Sequence, residues 1–116
     1  MRAPYGQQLF EGILEDTTTL EQLQTIKSNL MSTARKYFDA FEKKNLDAIL
    51  SINNYHAGYS AVAEYPNLTV PMGYKNSGEP LNLTFIGLPK TEGKLLILAY
   101  GFEQLTKYRK LPKGYE

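Results

Sequence analysis

The strongest pattern in this 116-residue chain is a helical repeat that runs from Leu20 to Lys44. Thr18, followed three residues later by Glu21, fits a capping box before the repeat, and Asn45 suits the C-cap after it. No glycine or proline interrupts the repeat, so the spacing predicts one continuous helix over residues 20–44. The apolar positions recur at steps of three or four residues: Leu20, Leu23, Ile26, Leu30, Ala34, Tyr37 or Phe38, and Phe41.

Three short runs in the second part of the chain have strand character. Residues 46–52 are mostly apolar and predict a strand that is buried on at least one face. Residues 67–70 predict a second strand, which Pro71 stops or kinks. Residues 81–87 alternate between apolar and polar side chains, and residues 75–79 have the composition of a turn. We therefore expect an antiparallel hairpin around that turn.

The remaining segments complete the expected fold. A second long helix runs from Thr91 to about Arg109 and is ended by Pro112, and a shorter helix is expected around residues 7–15. The chain predicts an α/β fold with a small mixed or antiparallel sheet of about three strands, packed by two main helices. We expect a single domain over residues 1–116, made of a lead-in (1–17), a long helix (18–45) and a strand, loop, hairpin and final helix (46–116).

Composition argues against several classes of function. With no Cys and one His, the chain cannot build a disulfide scaffold, a thiolate metal site or a site that needs two imidazoles. A net charge of +1 gives no reason to expect nucleic acid or an anionic membrane as a partner. No apolar run approaches the roughly 20 residues that span a bilayer. We expect a cytoplasmic protein with no cofactor and no metal.

The densest polar and aromatic stretch is the loop Asn-Asn-Tyr-His-Ala-Gly-Tyr over residues 53–59. It begins where a buried strand is expected to end, and pockets of open α/β sheets lie outside the carboxyl ends of strands. One interpretation makes the loop a pocket wall, with Asn53, Asn54, His56 and Tyr59 as candidate residues. The alternative is an ordinary loop stiffened by hydrogen bonds from side chains to backbone.

Catalytic constellations are weak in this sequence. Ser60 lies four residues after His56, but none of the five Ser residues stands in a Gly-x-Ser-x-Gly elbow. A loop histidine bonded to nearby backbone is the alternative to a Ser–His pair. Asp47 and Glu64 flank the same loop with no motif around them, which favours a strand-end charge and a solvated side chain over an acid–base pair.

Four segments carry a resemblance to a known family. Residues 67–74 (NLTVPMGY), 78–87 (GEPLNLTFIG), 93–96 (GKLL) and 99–104 (AYGFEQ) resemble, in order and spacing, the C-terminal end of the amidase signature family. The resemblance is close over about residues 46–112 and looser over the preceding helix. Asn67 stands where the family often has Ser, and Asn82 where it often has Gly.

The resemblance implies a part of an amide-bond hydrolase. The family uses a Lys and two Ser in a Gly/Ser-rich stretch that lies upstream of the part represented here, so no catalytic residue is carried over to any position. We expect a C-terminal fragment that completes the fold, with the N-terminal catalytic half of an amidase as its partner. A small-molecule amide would bind only to the complete enzyme, and exposed surfaces would favour homo-oligomers. A free-standing, non-enzymatic module for ligand binding or self-association is the alternative.

Overall fold

The computed structural model of the protein describes residues 6–111 and residue 114. The expected limit of the last helix at Pro112, and the first five residues of the expected lead-in, lie outside the described residues. The described part contains five helices and three strands, in the order α1 (Gln8–Glu15), α2 (Leu20–Tyr37), α3 (Ala40–Lys44), β1 (Ile49–Ile52), α4 (Ala57–Ala63), β2 (Asn67–Tyr74), β3 (Pro80–Ile86) and α5 (Glu92–Thr106).

Helix α2 begins with a capping box, one residue later than the sequence pattern predicts. The Thr19 hydroxyl accepts a hydrogen bond from the Gln22 backbone N–H at 3.2 Å, and the Gln22 side chain accepts one from the Thr19 N–H at 2.9 Å. The predicted box of Thr18 and Glu21 is therefore wrong. The reason is local, because the Thr18 N–H is already donated to the Asp16 carboxylate.

The predicted single helix over residues 20–44 is also wrong, because the chain breaks between α2 and α3. At the break, the Phe38 N–H bonds the Arg35 carbonyl and the Phe41 N–H bonds the Phe38 carbonyl, both at 3.0 Å. These tighter turns leave Phe38 and Phe41 both buried and both against the ring of Tyr65. Tertiary packing, rather than a glycine or proline, accounts for the break. Asn45 ends α3 in the left-handed conformation, as expected of a C-cap.

The sheet is antiparallel, with the strand order β1–β3–β2. The expected hairpin is confirmed as β2 and β3, whereas the first strand begins at Ile49 rather than at residue 46. Strand β2 does not stop at Pro71 but continues to Tyr74 through an irregularity between Pro71 and Gly73. Proline is tolerated there because β2 is an edge strand and the bulge absorbs the missing donor. The fold class is confirmed as mixed α/β with three antiparallel strands.

Two apolar clusters lie on opposite faces of this sheet. Phe85 and Ile86 are consecutive in β3, so their side chains point to opposite faces. Ile86 packs with the end of α2, with α3 and with α4, and Phe85 packs with α5. The buried members of the first cluster are Ala34, Phe38, Phe41, Ala63 and Ile86, and those of the second are Val70, Phe85, Leu95 and Ala99.

Two further boundaries differ from the expectations. The expected loop over residues 53–59 ends early, because helix α4 begins at Ala57. Helix α5 ends at Thr106 rather than near Arg109, because Lys107 adopts a left-handed conformation and donates its N–H to the Glu103 carbonyl. The chain beyond it is held by Lys110, whose N–H donates to the Tyr74 hydroxyl at 3.2 Å.

Candidate functional site

The loop that leaves β1 is anchored to the neighbouring strand by Asn53. The Asn53 N–H donates to the Asn82 carbonyl at 2.8 Å, and the Asn53 side-chain oxygen accepts from the Asn82 N–H at 2.9 Å. The Thr84 hydroxyl also donates to the Asn53 carbonyl. Asn53 adopts a left-handed conformation, which asparagine tolerates better than most residues. Its amide therefore extends the strand pairing by one residue and directs the chain out of the sheet.

The ring of His56 is hydrogen-bonded to a buried serine. Its Nδ1 atom lies 2.7 Å from the hydroxyl of Ser51, which is only 4% exposed. Ser51 and its partner Thr84 lie on the sheet face that carries Ile86. Within residues 6–111, Ser51 is the one side chain that hydrogen-bonds the imidazole. The expected bond from the ring to buried backbone is replaced by a bond to a buried side chain.

An aromatic stack covers the outer side of this pair. The rings of Tyr37 and Tyr59 stack with their centroids 4.5 Å apart, and the His56 ring lies 5.7 Å from Tyr37 at 30°. Such arrangements add about 0.5–1.5 kcal/mol beyond the burial of area. The end of α2, the loop and α4 are thus joined through three rings. The helical spacing predicts that Tyr37 or Phe38 lies on the apolar stripe of the helix, but it does not predict the contact of Tyr37 with the loop.

Ser60 is not positioned by the His56 ring. Its hydroxyl is completely buried and donates to the carbonyls of His56 at 3.0 Å and Ala57 at 3.2 Å. It also accepts from the Asn67 side-chain amide at 2.6 Å. The interpretation of Ser60 and His56 as a Ser–His pair is therefore wrong. The hydroxyl ties α4 to the first residue of β2, which is a structural role.

A shallow apolar groove of about 350 Å³ lies between α2 and α4. Of the four candidate residues, Tyr59 lines this groove, while Asn53, Asn54 and His56 do not. Asn54 is exposed to solvent. The structure therefore brings His56 and Tyr59 together and leaves Asn54 apart. The lining consists of Leu30, Thr33, Ala34, Tyr55, Gly58, Tyr59 and Val62.

The two acidic residues that flank the loop are not an acid–base pair. Asp47 forms an ion pair with Lys94 at 2.7 Å, and Glu64 forms one with Arg35 at 3.6 Å. Both carboxylates are well exposed, so each pair contributes little stability. In the described part of the chain, no three or more His, Asp or Glu side chains are grouped so that they could hold a metal ion. None of the helices described there is long and apolar enough to cross a membrane.

The known proteins to which this chain is similar include amidases. A probable amidase of Arabidopsis thaliana is 32% identical over 110 residues, which are 94% of this chain and 22% of that protein. The crystal structure of an amidase family protein from Bacillus anthracis is 39% identical and superimposes on 97% of the chain with a TM-score of 0.90. Over nearly its whole length, the chain is therefore similar to a part of known amidases. This confirms the resemblance of the strand, hairpin and helix segments, although no family model matches the chain.

The chain spans only about a fifth of these amidases. It covers 22% of the Bacillus anthracis protein and 23% of a peptide amidase from Stenotrophomonas maltophilia, which matches 86% of the chain at 28% identity and a TM-score of 0.72. It corresponds to the C-terminal region of an amidase. None of its five Ser residues lies in a Gly/Ser-rich stretch of the kind that the resemblance implies for the family's catalytic residues.

Proposed function

We propose that the chain acts as the C-terminal part of an amide-bond hydrolase, completes the enzyme's fold and does not catalyse alone. The observation that carries the proposal is the match to the Bacillus anthracis amidase family protein, which extends over 97% of this chain but only 22% of that one. Among residues 6–111, the one buried Ser–His contact, between Ser51 and His56, supports this. Ser51 is too enclosed to reach a substrate, and the contact is better suited to holding the loop.

The proposed role in substrate binding belongs to the loop after β1. Asn53 would keep the loop in place, since its amide is already bonded to Asn82. Asn54, the exposed face of His56 and Tyr59 would form the wall itself. Tyr59 is about half exposed although it stacks on Tyr37, so its ring offers a rigid apolar surface at low entropic cost. The wall would contact the non-reacting part of a small-molecule amide.

The proposal also includes the partner of the chain, its domain organisation, its location and its oligomeric state. The N-terminal catalytic half of an amidase would be the partner that brings the Lys and the two Ser. Residues 1–116 would act as one folding unit within a cytoplasmic enzyme. Homo-oligomers of the isolated chain would be a consequence of its exposed apolar side chains, which are numerous on α1, α2 and α5.

A chimera tests the proposed function. In it, this chain replaces the matched segment of the Bacillus anthracis amidase family protein, and release of ammonia is measured on an amide that the parent protein hydrolyses. We expect the chimera to hydrolyse the amide and the isolated chain to show only background. In the chimera, Asn54→Ala should raise KM with a smaller effect on kcat, whereas Asn76→Ala in the distant hairpin turn should change neither. A chimera that folds but is inactive would contradict the proposal.

The second candidate is a free-standing module that binds a ligand or associates with itself. The apolar groove between α2 and α4 favours it, because its lining includes the partly exposed Tyr55, Tyr59 and Val62. An isolated chain that is a stable monomer, binds apolar ligands and does not support activity in the chimera would favour this candidate over the amidase part.

A further inference from the structure

Helix α1 and the first turns of α2 form an arm that the rest of the described chain does not cover. The radius of gyration is 19.0 Å, whereas a compact domain of this length has about 13 Å. No residue of α1 is buried, and its four large apolar side chains, Leu9, Phe10, Ile13 and Leu14, are each at least 67% exposed. A helix of eight residues with no packed face is not stable by itself in water.

The apolar stripe of α2 has one end inside the fold and the other in solvent. Its inner end, Ala34, belongs to the buried cluster with Phe38. Further toward the N-terminus, Leu30, Ile26 and Leu20 are 54%, 49% and 71% exposed. The apolar stripe of α2 therefore begins in the buried cluster and extends beyond the part of α2 that the rest of the described chain covers. Together with α1 it makes one apolar face that needs a partner.

The partner can be deduced from the comparison. The match to the Bacillus anthracis amidase family protein covers 97% of this chain at a TM-score of 0.90, so the aligned region includes most of α1 and α2. The arm therefore has the same position in a crystal structure whose chain is more than four times longer. Since few contacts within this chain hold the arm, the contacts that hold it there come from the remainder of the longer chain.

The charged side chains of the arm indicate which kind of partner surface would be complementary to it. Residues 6–30 contain four acidic side chains, Glu11, Glu15, Asp16 and Glu21, and one basic side chain, Lys27, so the arm carries a net negative charge. An apolar face with an acidic rim is complementary to an apolar face with a basic rim. We infer that α1 and the first three turns of α2 are a docking arm that seats on such a surface in the part of the amidase outside this chain. The inference rests on the proposed function and names the contact by which the two parts join.

Hydrogen exchange of the arm in two proteins tests the inference. In the isolated chain, measured at a concentration where light scattering shows a monomer, the amides of α1 should exchange freely. In the chimera with the Bacillus anthracis protein they should exchange at least about 100-fold more slowly. Ile26→Asp in the chimera should remove most of this protection. Ser28→Asp adds the same charge two residues further on, about 200° around α2 and so nearly opposite Ile26, and should leave it intact.

The outcomes separate this inference from the proposed function. An active chimera whose α1 amides exchange as freely as in the isolated chain would overturn the docking arm alone. Protection of α1 in an inactive chimera would support the arm and count against the function. If α1 is already protected in the isolated chain and loses protection on dilution, its partner is a second copy and the inference is wrong. A chimera that does not unfold cooperatively would contradict both.

Discussion

The imidazole Nδ1 atom of His56 and the hydroxyl of Ser51 are 2.7 Å apart, and this contact ties the loop after β1 to the one buried residue of that strand. Ser51 is almost completely buried, so its hydroxyl depends on the imidazole for a hydrogen-bond partner. We expect His56→Ala to lower the free energy of unfolding by about 1–3 kcal/mol, because the hydroxyl would be left unsatisfied. Urea denaturation of the isolated chain measures the change.

The control for this prediction is Asn54→Ala, an exposed change in the same loop that should stay within about 0.5 kcal/mol of the wild type. In the double variant with Ser51→Ala, the loss should be smaller than the sum of the single losses, because the two groups share one hydrogen bond. An unchanged unfolding midpoint for His56→Ala would contradict the structural role and would leave the pocket wall as the interpretation of this residue.

Gly87 is required by a close approach between the end of β3 and α5. A Cβ atom at this position would lie 2.7 Å from the Thr91 hydroxyl and 3.0 Å from both methyl groups of Leu95. Thr91 is held by its own bond to the Leu88 carbonyl, so it cannot move away freely. We expect Gly87→Ala to lower the free energy of unfolding by about 1–3 kcal/mol.

The matched control for this position is Gly93→Ala in the first turn of α5. A Cβ atom there meets no other atom within 4 Å, and alanine has the higher helix propensity. The control should be neutral or stabilising by up to about 1 kcal/mol. Equal unfolding midpoints for the two variants in thermal denaturation would show that the approach of Thr91 and Leu95 does not restrict position 87.

Glu64 ends α4 in a left-handed conformation, with φ at 62°. This conformation costs a residue with a side chain about 1–2 kcal/mol, and glycine avoids that cost. We expect Glu64→Gly to stabilise the isolated chain by about 0.5 kcal/mol, after the greater freedom of glycine in the unfolded chain is included. The measurement is the urea midpoint. Glu64→Ala, which loses the exposed ion pair to Arg35 but keeps the strain, should not be stabilised, and a gain equal to that of Glu64→Gly would contradict the explanation.

The hairpin turn contains an ion pair between Lys75 and Glu79. Hydrogen bonding and attraction from Glu79, 2.8 Å away, raise the pKa of Lys75 above its ordinary value. A raised pKa in the folded state means that the stabilisation is complete below the ordinary pKa and is lost as the pH rises through the folded value. We expect the stability difference between wild type and Lys75→Met to shrink over that alkaline range. A difference that stays constant there would contradict the pairing.

The isolated chain should not hydrolyse amides. The resemblance implies that the family's catalytic Lys and Ser residues lie upstream of this part, and the nucleophile with its oxyanion hole provides most of the rate enhancement in acyl transfer. Ammonia release from simple amides by the purified chain should equal that of a buffer control. Because Ser60 is buried and bonded to backbone, we do not expect it to act as a nucleophile. Turnover that persists through repurification and is lost in the variant Ser60→Ala would therefore contradict this prediction.

Much of the fold could be predicted from local patterns. The hairpin of β2 and β3 follows from alternation of apolar residues around a turn, and the left-handed cap at Asn45 follows from the end of the helical repeat. These features depend on residues that are close in sequence, so the chain's own order of side chains contains the information. The candidate loop at residues 53–59 was recognised in the same way, from its density of polar and aromatic groups.

The pairing of Ser51 with His56 could not be predicted, because it depends on how the loop folds back on the sheet. Both Ser60 and Ser51 are close to His56 in sequence, at four and five residues. The start of α4 at Ala57 directs the Ser60 hydroxyl to the helix backbone, and the pleat of β1 turns Ser51 toward the ring. Spacing alone does not distinguish these two serines, since the choice depends on the direction of each side chain.

The sequence by itself determined the types of elements, their order and the resemblance to amidases, because helical and strand periodicity and the spacing of motifs are local properties. Only the tertiary structure decided where α2 ends and how β2 passes Pro71. Phe38 and Phe41 break the helix because both pack on Tyr65, which lies more than twenty residues away in the chain. Pro71 is accommodated because β2 lies at the edge of the sheet, and strand order is set by packing between distant segments.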